Sequence, residues 1–182
     1  VCSSDLAAKR PVALAGLGVL AGDAAAAFAR FVHGWRMPIF ATYKAKGVLA
    51  ESDPMCMGAV ALSPVVDEAS LALIREADLI VLAGFDPIEL RDAWLDAWKP
   101  GQQVLTLDWA VQTHRIFPAG EQIVGALDRM LEALVPNEAA APRWEGARLS
   151  AHLQRVAEIV RPRAPKGRIS PAALFHAVSK RI

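Results

Sequence analysis

The residues whose types and spacing could bind a ligand fall into three groups, and the first is rich in glycine. Gly16-x-Gly18-x-x-Ala21 follows an apolar run and precedes a segment with helical spacing. Glycines in such a turn let the backbone approach a phosphate, and the N-terminus of the following helix favours an anion. The same glycines also allow a tight turn with close packing of helix on strand. The spacing favours the tight turn, but it leaves Gly16 and Gly18 as candidate phosphate contacts.

The second group lies in the loop after another predicted strand and reads Thr42-x-Lys44-x-Lys46-Gly47. Ligands of open parallel sheets bind beyond the carboxyl ends of the strands. Lysines in that position could hold phosphates as point charges. Thr42, Lys46 and Gly47 are therefore candidate cofactor-binding residues, although a solvated loop explains them equally well.

The third group consists of residues that end or follow two further apolar runs. Asp108 ends one run, where its carboxylate could accept hydrogen bonds from a ribose or a base, or could cap the next turn. Gly84 ends the other run, and Asp86 and Arg91 follow it with the same two interpretations. Gly84 and Asp108 complete the set of candidate cofactor-binding residues.

No catalytic or metal-binding pattern accompanies these groups. The four histidines are far apart, and no two have the spacing of metal ligands: His33, His114, His152 and His176. The sequence has no phosphate-binding GxxxxGK[ST] and no nucleophile elbow. The residues themselves therefore indicate an α/β ligand-binding domain without a catalytic site of its own.

Length and composition limit the class of protein. The 182 residues are 54% hydrophobic and 21% charged, so the chain can bury a core. No uncharged apolar run reaches the roughly 18–20 residues of a membrane span, and the net charge of +1 argues against nucleic-acid binding. Residues 137–182 are basic, but the charges are spread out without interleaved aromatic residues, which favours a solvated surface.

The first six residues, Val1–Leu6, match the end of a sequencing adapter translated in one frame. We interpret them as a non-native leader and begin the fold at Ala7. Cys56 then remains as a single cysteine with no disulfide framework, which favours a cytoplasmic location.

Apolar runs between turn residues predict a mainly parallel sheet. We expect strands within 11–20 and over 38–42, 79–83, 103–107, 115–117 and 122–124. We expect helices over 24–35, 64–76, 86–98, 125–135, 144–160 and from 171, and a long loop over 44–63. Asp23, Ser63 and Ser170 are the predicted helix caps. The alternation of strands and helices predicts an α/β fold.

The same patterns predict three regions after the leader. Residues 7–135 form the domain, and 136–169 form an interdomain linker that contains one lone amphipathic helix. Residues 170–182 begin a further, truncated domain.

The ordered set of motifs resembles the central domain of thiamine-diphosphate-dependent enzymes, the family of acetolactate synthase and benzoylformate decarboxylase. The resemblance extends from about Lys9 to Val135 and is specific through the order of its segments, which are Arg10–Val19, Thr42–Pro54 with Gly58, Ala77–Gly84, Val104–Asp108 and Ile123–Leu127. It implies a Rossmann-like parallel sheet of about six strands with helices on both faces, followed here by a C-terminal helical extension.

In this family the central domain lies between a pyrimidine-binding and a diphosphate-binding domain, which together hold thiamine diphosphate and Mg²⁺. The resemblance therefore implies an inactive fragment of a 2-oxo-acid decarboxylase or acetolactate-synthase-like enzyme, homodimeric or homotetrameric at full length. The segment from Ile169 resembles the first helix of the diphosphate-binding domain. The alternatives are a free-standing Rossmann-like module that binds a nucleotide or FAD, and a purely structural domain.

Four departures from the patterns of the family bear on FAD. Ala45 replaces a glycine, Phe85–Arg91 replaces an arginine-containing pattern, Trp109-Ala110 stands where a second acidic residue is usual, and Ala126 replaces an aspartate. We therefore expect a structurally retained cleft without FAD. Any ligand of this domain should bind among Gly16, Gly18, Thr42, Lys46, Gly84 and Asp108, at the carboxyl ends of the strands.

Overall fold

The centre of the fold is a six-stranded sheet in which every pairing of neighbouring strands is parallel. The computed structural model describes residues 8–90, 94–113, 120–163 and 167–181. The strand order is β3-β2-β1-β4-β5-β6. The strands are β1 (Pro11–Ala15), β2 (Ile39–Thr42), β3 (Cys56–Val60), β4 (Leu79–Ala83), β5 (Gln103–Asp108) and β6 (Glu121–Val124). The predicted α/β class and the six-stranded sheet are confirmed.

Helices cover both faces of the sheet, as predicted. On one face lie α1 (Leu17–Ala21), α2 (Ala25–Trp35) and α4 (Leu127–Ala133); on the other lie α3 (Pro64–Ile74) and α5 (Gly146–Val160). Successive residues of β1 alternate between the two cores, with Ala13 and Ala15 in one and Val12 and Leu14 in the other. A strand buried on both faces is continuously apolar, which explains the run that begins at Pro11.

The strand order creates a switch point at the centre of the sheet. From β1 the chain winds outward through β2 to β3, and it then returns to β4 on the other side of β1. A crevice opens at such a point because the connections that leave the two central strands run in opposite directions. The ends of β1 and β4 therefore define the edge where a ligand site is expected.

The sheet contains a strand that the sequence patterns missed. Residues 44–63 were expected to form a long loop, but β3 lies within them and pairs with β2. Its sequence, Cys-Met-Gly-Ala-Val, contains one β-branched residue and a glycine at φ +109°, so it gives little strand signal. The strand expected at Arg115–Phe117 lies outside the described residues, as do Arg91 and His114.

Of the three predicted helix caps, Asp23 is wrong, Ser63 occupies the N-cap position without a side-chain bond, and Ser170 is confirmed. Asp23 does not cap α2: it has a left-handed φ of +50° between α1 and α2, and Ala24 is the N-cap. Ser63 precedes α3 with Pro64 in the first turn, but its side chain makes no capping hydrogen bond. Ser170 caps α6 (Pro171–Ser179) as predicted, since its hydroxyl accepts a hydrogen bond from the Ala173 N–H at 3.1 Å.

A helix is expected over residues 86–98, but the described residues 86–90 and 94–98 contain no α-helix, and a short 3-10 turn lies at Pro87–Glu89. The Asp86 carboxylate accepts a hydrogen bond from the Ile88 N–H at 3.0 Å and begins the turn, and Leu90 then returns to extended geometry. The tryptophan spacing of four that suggested a helix still brings Trp94 and Trp98 together, with their ring centroids 6.4 Å apart. The spacing of Trp94 and Trp98 therefore reflects a contact between their rings.

The helix expected to be a lone linker element, α5, packs on the domain instead. The Trp144 Nε1–H donates to the Pro11 carbonyl at 2.7 Å, which fastens the segment before α5 to the first residue of β1. The Arg148 guanidinium donates to both carboxylate oxygens of Glu76, and His152 is buried beside β3. By contrast, α6 buries none of its residues.

Within the described ranges no helix has both the length and the hydropathy needed to cross a membrane.

Candidate functional site at the carboxyl edge of the sheet

A cavity of about 330 Å³ lies at the carboxyl ends of β1, β4 and β5. Of the predicted site residues, Gly18, Gly84 and Asp108 line it. Its other described lining residues include Leu17, Lys44, Asp86, Glu89, Trp109 and Gln112. The switch point of the sheet therefore does carry a cleft, although some of its walls differ from those predicted.

The three glycines of the site pack against one another. A Cβ added to Gly16 would lie 2.3 Å from the Gly84 carbonyl oxygen, and one added to Gly18 would lie 2.7 Å from the Gly84 Cα. Gly84 itself has φ +51° and lies equally close to the backbone at Gly18. Both partners in these contacts are backbone, so no side chain could move aside. The glycines are required for the close approach of the turn after β1 to the turn after β4.

The backbone N–H groups that begin α1 are all engaged within the chain. The Gly18 N–H donates to the Gly84 carbonyl at 2.8 Å, and the Val19 N–H donates to the Gly16 carbonyl at 3.1 Å. The Leu17 N–H donates to the Glu89 carboxylate at 3.2 Å. The N-terminus of this helix therefore offers no free donor to a phosphate, and the tight-turn interpretation of Gly16 and Gly18 explains their geometry.

Glu89 is the residue of the cleft that the sequence patterns did not identify. Its side chain is buried, with 3% of its surface exposed. One carboxylate oxygen accepts from the Leu17 N–H, and the other accepts a hydrogen bond from the hydroxyl of Thr42, which is fully buried. Glu89 thus joins the ends of β1 and β2 to the turn that follows β4. The sequence analysis placed Glu89 in a helix and so did not consider it as a site residue. An acidic residue shortly after a glycine that ends a strand is nevertheless a signal of a position near the cleft.

Asp108 is committed to its own turn. Its carboxylate accepts from the Trp109 N–H at 2.7 Å and from the Gln112 amide at 3.1 Å. The same Gln112 amide donates to the Phe85 carbonyl. Of the two predicted roles, the structure shows the turn cap, and Gln112 links that turn to the segment after β4.

The lysine that reaches the cleft is Lys44, not the predicted Lys46. Lys44 lines the cavity, whereas the Lys46 ammonium is exposed and lies 2.8 Å from the Glu51 carboxylate. Gly47 has φ +97°, and a Cβ added there would meet nothing within 4 Å. Gly47 therefore serves the local turn, and neither it nor Lys46 lines the cavity.

The rim of the cleft is apolar and open to solvent. Trp109 is 56% exposed, and Leu17 and Val111 are exposed beside it. The charged residues among the described lining are three acids, Asp86, Glu89 and Asp108, and one base, Lys44. The cleft therefore combines a mainly acidic charged lining with an apolar rim.

Ionisable groups with shifted pKa values lie away from the cleft. Burial lowers the pKa of His152, and the nearby Arg148 charge acts in the same direction. Burial raises the pKa of the Cys56 thiol. Among the described residues there is no group of three or more His, Cys, Asp or Glu side chains that could hold a metal ion.

Comparison with known protein families gives a match over most of the domain. The family described as "Thiamine pyrophosphate enzyme, central domain" matches residues 6–134. That range contains every strand of the sheet and the whole cleft.

Two individual proteins extend this comparison. The large subunit of acetolactate synthase isozyme 1 from Escherichia coli K12 is 27% identical over 150 residues, which are 82% of this chain and 26% of that protein. A solved structure from Mycobacterium smegmatis, assigned as a thiamin diphosphate-dependent enzyme, superposes with a TM-score of 0.57 at 20% identity, over 76% of this chain and 28% of that one. The chain thus spans about a quarter of the length of each.

Proposed function

Because the chain belongs to the thiamine pyrophosphate enzyme family and contains its central domain, we propose that it is the middle section of a longer enzyme. That enzyme would depend on thiamine diphosphate and Mg²⁺ and act on a 2-oxo acid, as an acetolactate-synthase-like enzyme or a decarboxylase. The family match over residues 6–134 carries this proposal, and the similarity to an acetolactate synthase subunit supports the choice of reaction class.

The role of this section would be to hold the pyrimidine-binding and diphosphate-binding domains of the same enzyme in register. The segment that leads into β1 lies against the segment that leads into α5, which supports such a role. The Arg143 guanidinium donates to the Ala8 carbonyl at 2.9 Å, and Trp144 bonds to Pro11. These contacts hold the start of the domain against its later part, which suits a rigid spacer. We also propose that the full-length enzyme is a homodimer or homotetramer in the cytoplasm.

The chemistry of such an enzyme lies outside this section. Thiamine diphosphate supplies an electron sink for cleavage next to the carbonyl of a 2-oxo acid. The described residues offer no metal-binding cluster, and the carboxylates of the cleft are committed to backbone and side-chain donors of the same chain. We therefore propose that the chain alone is inactive.

FAD does not fit the cleft as it is built. A flavin dinucleotide needs backbone donors for its diphosphate, and the N–H groups of Leu17, Gly18 and Val19 are already engaged. The acidic lining adds repulsion. These contacts favour a spacer domain over the alternative, a free-standing module that binds FAD or another nucleotide.

The surrounding gene tests this proposal. We expect one reading frame to continue on both sides of this segment, with a catalytic glutamate upstream and a GDG…N motif downstream. The protein encoded by that frame should release carbon dioxide from pyruvate or another 2-oxo acid when thiamine diphosphate and Mg²⁺ are supplied. The purified 182-residue chain serves as the control and should release none. A frame that lacks both motifs would overturn the proposal.

A further inference from the structure

We propose that the Glu89 carboxylate is an internal anion that takes the place of a ligand's phosphate in the cleft, so that nucleotides are excluded from it. The role concerns the chain's own cleft, and it holds whatever reaction the longer enzyme catalyses.

The position of Glu89 is the first support. A phosphate at the switch point of a parallel sheet is bound by backbone N–H groups where the first helix begins, and a hydroxyl at a neighbouring strand end is a second kind of donor at that edge. Here the Leu17 N–H supplies the first kind of donor and the Thr42 hydroxyl supplies the second, and both donate to Glu89. One carboxylate therefore uses both kinds of donor that would otherwise face a ligand.

The burial of Glu89 is the second support. A carboxylate that is 3% exposed carries a large desolvation cost unless donors compensate it. Thr42 is fully buried, so its hydroxyl would in turn be left unsatisfied without Glu89. Each group needs the other, which fixes the carboxylate in place rather than leaving it free to swing out when a ligand arrives.

The charge of the cleft is the third support. Asp86 and Asp108 line the same cavity as Glu89, and Lys44 is the one base among the described lining residues. A diphosphate in this cleft would be near several negative charges and close to one positive charge. Both hydrogen bonding and electrostatics therefore oppose a phosphate at the position where the fold would otherwise favour one.

Replacement of Glu89 by alanine tests this role through rescue by a small anion. Glu89→Ala leaves the Leu17 N–H and the Thr42 hydroxyl unpaired, so the thermal midpoint should fall by about 8 °C. Sodium formate should then raise that midpoint by about 2 °C relative to sodium chloride at equal ionic strength, because a free carboxylate can enter the vacated position. Formate should raise the midpoint of neither the unmodified chain nor the exposed control Glu51→Ala. Absence of rescue in folded Glu89→Ala would overturn the proposal.

Two further measurements keep the test decisive if Glu89→Ala does not fold. Glu89→Gln retains the shape but not the charge, and its midpoint should fall by about 3 °C because charged hydrogen bonds are stronger than neutral ones. A midpoint equal to that of the unmodified chain would contradict a role for the anion. Titration of the unmodified chain with ADP, FAD and inorganic pyrophosphate should show no binding at micromolar concentration, and such binding would overturn the exclusion. No thiamine diphosphate enters these assays, so their failure is distinct from failure of the proposed function.

Discussion

The last two described helices, α5 and α6, differ in how they are held. The first, α5, is fastened by Trp144 before its start, by the Arg148 pair with Glu76, and by the buried His152. The second, α6, buries no residue, and Phe175 on it is 74% exposed. The presence of apolar residues in a helix therefore does not show whether that helix belongs to a domain. Polar anchors beside the apolar stripe distinguish the two.

Of the residues that hold α5, Trp144 should have the largest effect on stability when it is replaced. Its ring is 6% exposed and its Nε1–H bonds to Pro11, so Trp144→Ala removes both a large buried surface and an anchor. We expect a loss of about 3–5 kcal/mol in unfolding free energy, measured by urea denaturation. Trp144→Phe keeps most of the surface and should lose less. Equal stability of Trp144→Ala and the unmodified chain would show that α5 is not part of the folded unit.

His152 should make the stability depend on pH. Because burial lowers its pKa in the folded chain, the unfolded chain binds a proton first as the pH falls below about 6.5. Stability should therefore be complete above that pH and should fall below it, by up to about 1.4 kcal/mol per pH unit. Denaturation at several pH values measures this slope.

The matched control for His152 is the exposed His176 on α6. His152→Gln should flatten the acid side of the profile, and His176→Gln, which changes an exposed side chain, is the control for the substitution itself. An unaltered profile in His152→Gln would assign the pH dependence to other groups.

The ion pair between Arg148 and Glu76 should contribute less to stability than Trp144 or His152 does. The two side chains are about one-third exposed, so solvent screens their attraction, although the bidentate geometry raises it above that of a single contact. A double-mutant cycle with Arg148→Ala and Glu76→Ala should give a coupling of about 1 kcal/mol. A coupling near zero would leave Trp144 and His152 as the anchors of α5.

Replacement of Phe175 should have the smallest effect on stability. Phe175→Ser changes a side chain that touches little of the described structure, so the unfolding free energy should change by less than about 0.5 kcal/mol. The same denaturation experiment measures it. A loss comparable to that of Trp144→Ala would show that α6 is packed in solution and would remove the contrast with α5.

The sequence predicted most of the sheet because parallel strands buried on both faces are continuously apolar. The runs at β1 and β4 carry that signal, whereas β3, which has the same length but a glycine at its centre, does not. Helix caps were predicted less well, because Asp23 has the residue type of a cap but a left-handed backbone. Capping depends on a backbone geometry that the residue type does not fix.

The site was predicted in location but not in detail. Gly18, Gly84 and Asp108 do meet at one cavity, because strand ends share one edge. What each residue contacts there depends on the turns between them, and tertiary contacts set those turns. Glu89 reaches Leu17 and Thr42 across 72 and 47 residues of sequence, and no local pattern contains such a pairing.

We propose that this chain is a positioning domain and that other sections of a longer enzyme hold thiamine diphosphate. Isothermal titration with thiamine diphosphate and Mg²⁺ tests it most directly, with the 182-residue chain compared with the protein encoded by the whole reading frame. We predict that the longer protein binds thiamine diphosphate and that the 182-residue chain shows no heat of binding. Binding of thiamine diphosphate by the 182-residue chain alone, at the same affinity as the longer protein, would contradict the claim.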